Sequence, residues 1–146
     1  LSCTKNKFEG GLFNYNKKKN KWYLMESKSN SSSINTSLYS GGIFAVLNET
    51  IKPIIENIFP SNTASYTSKD IREISFNIQD EHSGVNFENI IIKIDGQVLF
   101  YDCIKFRDLI KADINYSLDS GKHLLEIFAE DKLQNSITKE ILFYIK

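Results

Sequence analysis

Four acidic residues, Asp80, Glu81, Glu130 and Asp131, are the side chains in this sequence best suited to hold an ion. They form two adjacent pairs, each just past an alternating apolar run. If the two strand ends meet at one pole, the carboxylates meet with them. Calcium takes about six to eight oxygen ligands, mainly carboxylates and carbonyls, so such a pole would suit it. The competing reading is structural and commoner: an aspartate accepts backbone N–H groups in its own turn. From the residues alone, both readings stand.

Other chemistry is poorly supplied. There are 2 histidines, His82 and His123, with no ligand spacing between them. Zinc catalysis asks for about three protein ligands around an open position. His82 falls in a loop. His123 falls at a strand start, where a bond to a neighbouring carbonyl is expected. A thiol nucleophile needs a base, and Cys103 with His123 is a pairing that the sequence leaves open. No glycine-rich phosphate loop and no serine elbow occur. The sequence therefore predicts no enzyme, no catalytic residue, no cofactor and no transition-metal site.

The 2 cysteines, Cys3 and Cys103, are too few for a disulfide framework, and both are expected as thiols. Their separation leaves a bridge undecided.

Aromatic residues are the second candidate for binding. Tyr15, Trp22 and Tyr23 lie on a hairpin beside Lys17, Lys18, Lys19 and Lys21. A flat aromatic face can stack on sugar rings, which would make a cell-wall or surface glycan the partner. Alternation puts Trp22 and Leu24 on one face and Tyr23 and Met25 on the other, so at least one face is packing. The lysines read as a solvated hairpin tip, with a polyanion contact as the alternative.

The charges balance over 146 residues, but residues 1–50 carry 7 Lys against 3 acids and the rest carries the opposite excess. A net charge of +0 gives no general pull toward nucleic acid. No apolar run approaches the roughly 18 residues of a membrane span. No signal-type segment is recognised, and the chain opens at Leu1 rather than methionine, so a piece of something longer is expected. Abundant Lys, Asn, Ile and Ser suggest an AT-rich source, which accounts for the sequons at Asn30, Asn35, Asn48 and Asn115.

The elements that must position these groups are strands. Gly11–Tyr15 and Trp22–Met25 form a hairpin, Ser27–Ser33 a loop, Ile34–Leu38 a weak strand and Gly42–Leu47 a strong one. Asn48–Pro53 is the boundary between a β-rich segment at 1–50 and a domain at 51–146. Pro53 and Pro60 bracket an edge strand at Ile54–Ile58, because proline is confined to strand edges and ends. Ile74, Phe76 and Ile78 share one face of the next strand, and Ile90, Ile92 and Ile94 one face of the strand after. Asp95-Gly96 reads as a primed two-residue turn into Val98–Tyr101. Between Asp102 and Leu118 a single helical turn at Phe106, Leu109 and Ile110 competes with a strand at Ile114–Leu118. Leu125, Ile127 and Ala129, then Ile137, Ile141, Phe143 and Ile145, face inward from the last two strands. About seven antiparallel strands in two sheets predict an all-β immunoglobulin-like sandwich.

Particular residues carry a family resemblance. The proline-bounded start with Ile54 and Pro60 is followed by Asp80 with Ser83-Gly84 after a buried strand. An Ile-rich strand then ends in Asp95-Gly96, and Leu118, Gly121, His123 and Ala129 precede Asp131 and Asn135. This order resembles bacterial immunoglobulin-like modules of secreted and surface proteins, which are similar to fibronectin type III domains. The opening segment, with its Tyr15 and Trp22 hairpin and Gly42-Ile-Phe-Ala-Val, resembles the end of a preceding β-domain. The departures are Lys132-Leu133-Gln134, where a glycine is usual beside the asparagine, and a single proline at position 53. Such modules often end larger chains, including peptidoglycan-directed zinc peptidases and adhesins. The resemblance implies an extracytoplasmic, non-catalytic module that spaces, orients or anchors other domains of the same chain. The alternatives are a carbohydrate-binding module or the accessory C-terminal part of a peptidoglycan hydrolase.

Overall fold

Isoleucine and phenylalanine at alternate positions bury one side of a pleated strand and leave the other wet, and this pattern builds most of the molecule. In the computed structural model, residues 10–29 and 33–146 are described. Cys3 and Asn30 lie outside them. The opening part holds β1 (Gly11–Asn16), β2 (Lys21–Leu24), β3 (Lys28–Ser29), β4 (Ile34–Asn35) and β5 (Phe44–Leu47). The hairpin pairs Tyr15 with Trp22 and Phe13 with Leu24, and β5 adds to the other side of β1. The lysines at 17–19 sit in the exposed turn. The expected strand at Ile34–Leu38 shrinks to two residues, which pair with Lys28–Ser29 inside the expected loop.

The sandwich follows. Its strands are β6 (Ile54–Phe59), β7 (Ser65–Tyr66), β8 (Glu73–Gln79), β9 (Ile91–Ile94), β10 (Gln97–Leu99), β11 (Asp102–Ile104), β12 (Leu109–Asp113), β13 (Gly121–Glu130) and β14 (Ser136–Ile145). One sheet runs β11-β12-β8-β6 and the other β10-β9-β13-β14-β7. This is the strand order of an immunoglobulin-like sandwich. The chain changes sheets just after β6. The β6–β8 register shifts between Glu56 and Phe59, the Phe59–Pro60 peptide is cis, and β7 then pairs parallel with β14. All other pairings are antiparallel.

The core sits between the two sheets. Ile74, Phe76 and Ile78 from β8 meet Ile92 and Ile94 from β9, Ile110 from β12, and Leu125, Ile127 and Phe143 from the long β13–β14 pair. Asp95 and Gly96 both take positive φ, 50° and 82°, as a primed hairpin turn requires.

The segment 102–118 differs from expectation. Lys105–Arg107 form a single 3-10 turn and Leu109–Asp113 the strand, whereas Ile114–Leu118 has no ladder. Burial still alternates there, with Ile114 and Leu118 inside and Asn115 and Ser117 outside. The period was real; what is missing is a partner strand.

Candidate metal centre

Two strand ends and one linker converge at one pole of the sandwich. Position parity decides which carboxylates arrive. Inward-facing positions in β8 are 74, 76 and 78, and Asp80 continues that series beyond the strand. Inward positions in β13 are 123, 125, 127 and 129, and Asp131 continues it, fully buried at 0% exposure. Glu81 and Glu130 have the opposite parity and point elsewhere. Glu81 pairs with Lys21 at 3.3 Å, and Glu130 Oε1 accepts from Asn86 Nδ2 at 3.0 Å. The structure therefore brings together two of the four acids singled out in the sequence. The third carboxylate is Glu49, from the linker before β6. Glu49, Asp80 and Asp131 each offer an oxygen, and these oxygens lie within 4.8 Å of one another.

Both aspartates also cap their own turns. Asp80 Oδ1 accepts the N–H of His82 at 3.0 Å and of Gly84 at 2.7 Å, with the Ser83 hydroxyl at 3.4 Å. Gly84 closes this loop with φ of 84°. Asp131 Oδ1 accepts the N–H groups of Leu133 and Asn135, both at 2.8 Å, and its Oδ2 accepts Asn135 Nδ2 at 2.6 Å. Asn135 Nδ2 also donates to the Glu49 carbonyl at 3.1 Å, tying the linker to the β13–β14 turn. Glu49 Oε1 accepts the Ile51 N–H. Among the described residues no ion pair reaches any of the three carboxylates. Burial pushes the Glu49 carboxyl above its ordinary value. The Ile51 N–H and the Ser83 hydroxyl pull it down, while the charges of Asp131 and Asp80 push it up. A cavity of about 240 Å³ between the hairpin and the 80s loop borders Glu49 and His82.

The other sequence candidates do not assemble. His123 is buried and both ring nitrogens are occupied, by Asp95 and by the Asp119 carbonyl. The expected carbonyl bond is present, and the Asp95 partner was missed. Cys103 is a half-buried free thiol on β11, opposite Ile110 of β12, and burial raises its pKa. Tyr15 and Trp22 pack on each other, with ring centroids 5.0 Å apart and planes inclined by 49°. Trp22 turns toward His82 and Leu47, and Tyr23 lies on the opposite face with Lys19 over its ring. These rings form no continuous flat strip, so the geometry of stacked sugars is absent. Both hydrogen bonds described for the His123 ring go to partners other than Cys103, so the thiol–imidazole pair open to the sequence is not assembled.

Fold and site together define an immunoglobulin-like β-sandwich with a carboxylate-lined pole. No protein-family model matches the chain, and no curated protein matches it in sequence. Among solved structures it is similar to CopC from Methylosinus trichosporium OB3b, at 11% identity and TM-score 0.52, over 64% of this chain and 93% of that one. It is also similar to PcoC, a methionine-rich copper resistance protein from Escherichia coli, at 11% identity and TM-score 0.49, over 66% of this chain and 100% of that one. Identities this low speak for the fold alone. The expectation of a spacing or anchoring module, a carbohydrate-binding module or a hydrolase accessory part is corrected by the first of these comparisons: the solved chain whose fold is matched over 93% of its length is CopC, not a module of those kinds.

Proposed function

We propose that this chain is an extracytoplasmic cation-binding β-sandwich protein whose site is Glu49, Asp80 and Asp131, with calcium as the cation. Residues 51–146 form the binding sandwich, and the β-rich segment 1–50 supplies Glu49 from its end. The observation that carries this reading is the convergence of three carboxylates, drawn from three separate stretches of chain, with no cationic side chain among the described residues paired to them. Like charges held close raise one another's cost of ionisation. An acid whose folded pKa lies above its unfolded one weakens the fold as pH rises through that range. A divalent cation offsets this repulsion, and its oxygen ligands are of the type that calcium takes.

Copper is the metal named for the Escherichia coli protein, and it is the comparison to make. Copper favours imidazole and sulfur ligands. This chain has 1 methionine and 2 histidines, and the ligand group that gathers among the described residues, Glu49, Asp80 and Asp131, holds no histidine and no cysteine. The donor set present is hard oxygen. No helix among the described residues is long and apolar enough to cross a membrane.

Thermal melts of the full chain with calcium, with EDTA and with copper test the reading. At about 100 times Kd, calcium adds about 2.7 kcal/mol, a rise of roughly 8 °C in Tm for a chain of this size. Glu49→Gln keeps an acceptor for the Ile51 N–H and is expected to weaken binding at least about tenfold while raising the EDTA melt slightly, because one of the repelling charges is gone. Affinity falls as pH drops through the raised Glu49 value, because protons compete for the oxygen. A Tm indifferent to calcium and chelator sinks the proposal. A response to copper alone would replace the hard-oxygen site with a copper one.

A further inference from the structure

The opposite end of β13 carries a second titratable cluster, eight positions and about 26 Å along the strand from Asp131. His123 lies there at 7% exposure, with Phe143 stacked on it at 5.4 Å between centroids. Its Nδ1 is 2.6 Å from Asp95 Oδ2, in the β9–β10 turn. Its Nε2 is 2.8 Å from the backbone carbonyl of Asp119, in the connection 114–120. A carboxylate and a carbonyl can only accept. A neutral imidazole has one donor and one acceptor, so it satisfies one of these partners and turns a lone pair on the other. Only the imidazolium satisfies both.

We propose that His123 is a proton-operated clamp: charged, it holds both the Asp95 turn and the 114–120 connection onto β13, and on losing its proton it releases the connection. The direction of release follows from bond strength. The charge-assisted bond to Asp95 is the stronger of the two, so the remaining proton stays on Nδ1 and Nε2 loses its own. Asp95 is also held independently, since its Oδ1 accepts the Leu124 N–H at 2.8 Å and its own N–H donates to the Leu124 carbonyl at 2.9 Å. The connection has less to hold it. Ile114 N–H donates to the Arg72 carbonyl at its start. Tyr116 has a buried hydroxyl without a hydrogen-bond partner. Release uncovers Ile114 and Leu118.

The charged groups facing the ring are the Asp95 and Asp119 carboxylates; β14 presents Phe143, and Tyr116 stands near Asp95. Burial pulls the His123 pKa down, but the bonds to Asp95 and Asp119 and their charges outweigh it, and the ring titrates above its ordinary value. With a folded pKa above the unfolded one, the clamp's stabilisation is complete below the unfolded value of about 6.5. It is lost as pH rises through the folded value.

Imidazole nitrogen shifts followed by NMR from pH 5 to 9 read the clamp directly. Both nitrogens of His123 are expected to be protonated at pH 6.5, with a midpoint above the ordinary histidine value. Amide protection factors at 117–121, corrected for intrinsic exchange, are expected to fall at least tenfold across that midpoint. Asp95→Asn suits the same primed turn and keeps an acceptor for Leu124, so it is expected to fold and to shift both transitions to lower pH together. A neutral tautomer at pH 6.5, or protection at 117–121 that ignores the His123 midpoint, would overturn the proposal.

Discussion

Phe76→Ala is expected to destabilise the protein by about 3–5 kcal/mol, the usual cost of emptying a large aromatic site in a packed core. Phe76 is 0% exposed on β8, a strand flanked on both sides by β6 and β12. Its backbone partner across the ladder is Ile110, also at 0%. Two sheets face each other here, so a void left by the ring cannot be filled from solvent, and the strands on either side resist collapse. Native domains hold only about 5–15 kcal/mol in total, so this one substitution removes a large share. Phe76→Leu preserves most of the volume and should cost less than about 1.5 kcal/mol. Phe106→Ala is the control: that ring is 82% exposed, and its loss should stay within about 0.5 kcal/mol. Urea midpoints at constant m give all three values. A Phe76→Ala cost below about 1 kcal/mol would mean that the sheets do not pack as described.

That prediction was open to sequence reading because burial in a two-layer β-protein is written at period two. Ile74, Phe76, Ile78, Leu125, Ile127 and Ala129 announce their face by alternation, and all six are at 0% exposure. The Asp95-Gly96 turn was equally legible, since only a few residues accept its positive φ. Other features left no such trace. The two-residue strand β7 and the three-residue β11 are edge pieces whose pairing comes from the neighbouring strand, not from their own pattern. Ile114–Leu118 shows the converse, a correct period without a ladder.

The acidic pole was half legible. Asp80 and Asp131 stood out, but grouping them with their neighbours Glu81 and Glu130 ignored the parity that aims adjacent residues to opposite sides. Extending each strand's inward series by one step, 78 to 80 and 129 to 131, would have separated the pairs. Glu49 could not have been found that way. It lies in a linker without period, and it reaches the site through a bond to Asn135, 86 residues further along. His123 was seen as a carbonyl-bonded strand residue, while its charge partner Asp95 sat hidden in a turn that already had a sufficient reason to exist.

The second large effect is expected at Asp131→Ala. The carboxylate at 0% exposure holds three donors: the N–H groups of Leu133 and Asn135, and Asn135 Nδ2. Alanine leaves those donors facing a space from which the acceptor has gone. Each buried orphan costs about 1–3 kcal/mol, and with partial relaxation a total of about 3–5 kcal/mol is expected. The damage should be local in origin and wide in reach. The turn it caps joins β13 to β14, the longest pairing in the molecule, and Asn135 also anchors the linker at the Glu49 carbonyl. Asp131→Asn separates the contributions, because its amide oxygen can still accept both backbone N–H groups while its NH2 opposes Asn135 Nδ2. A loss about half that of alanine is therefore expected. Urea unfolding in EDTA measures this structural part free of any bound cation. Repeating it in calcium adds the ligand increment to the native chain, and neither variant should show it in full. An alanine variant as stable as the native chain in EDTA would show that the aspartate does not hold this turn.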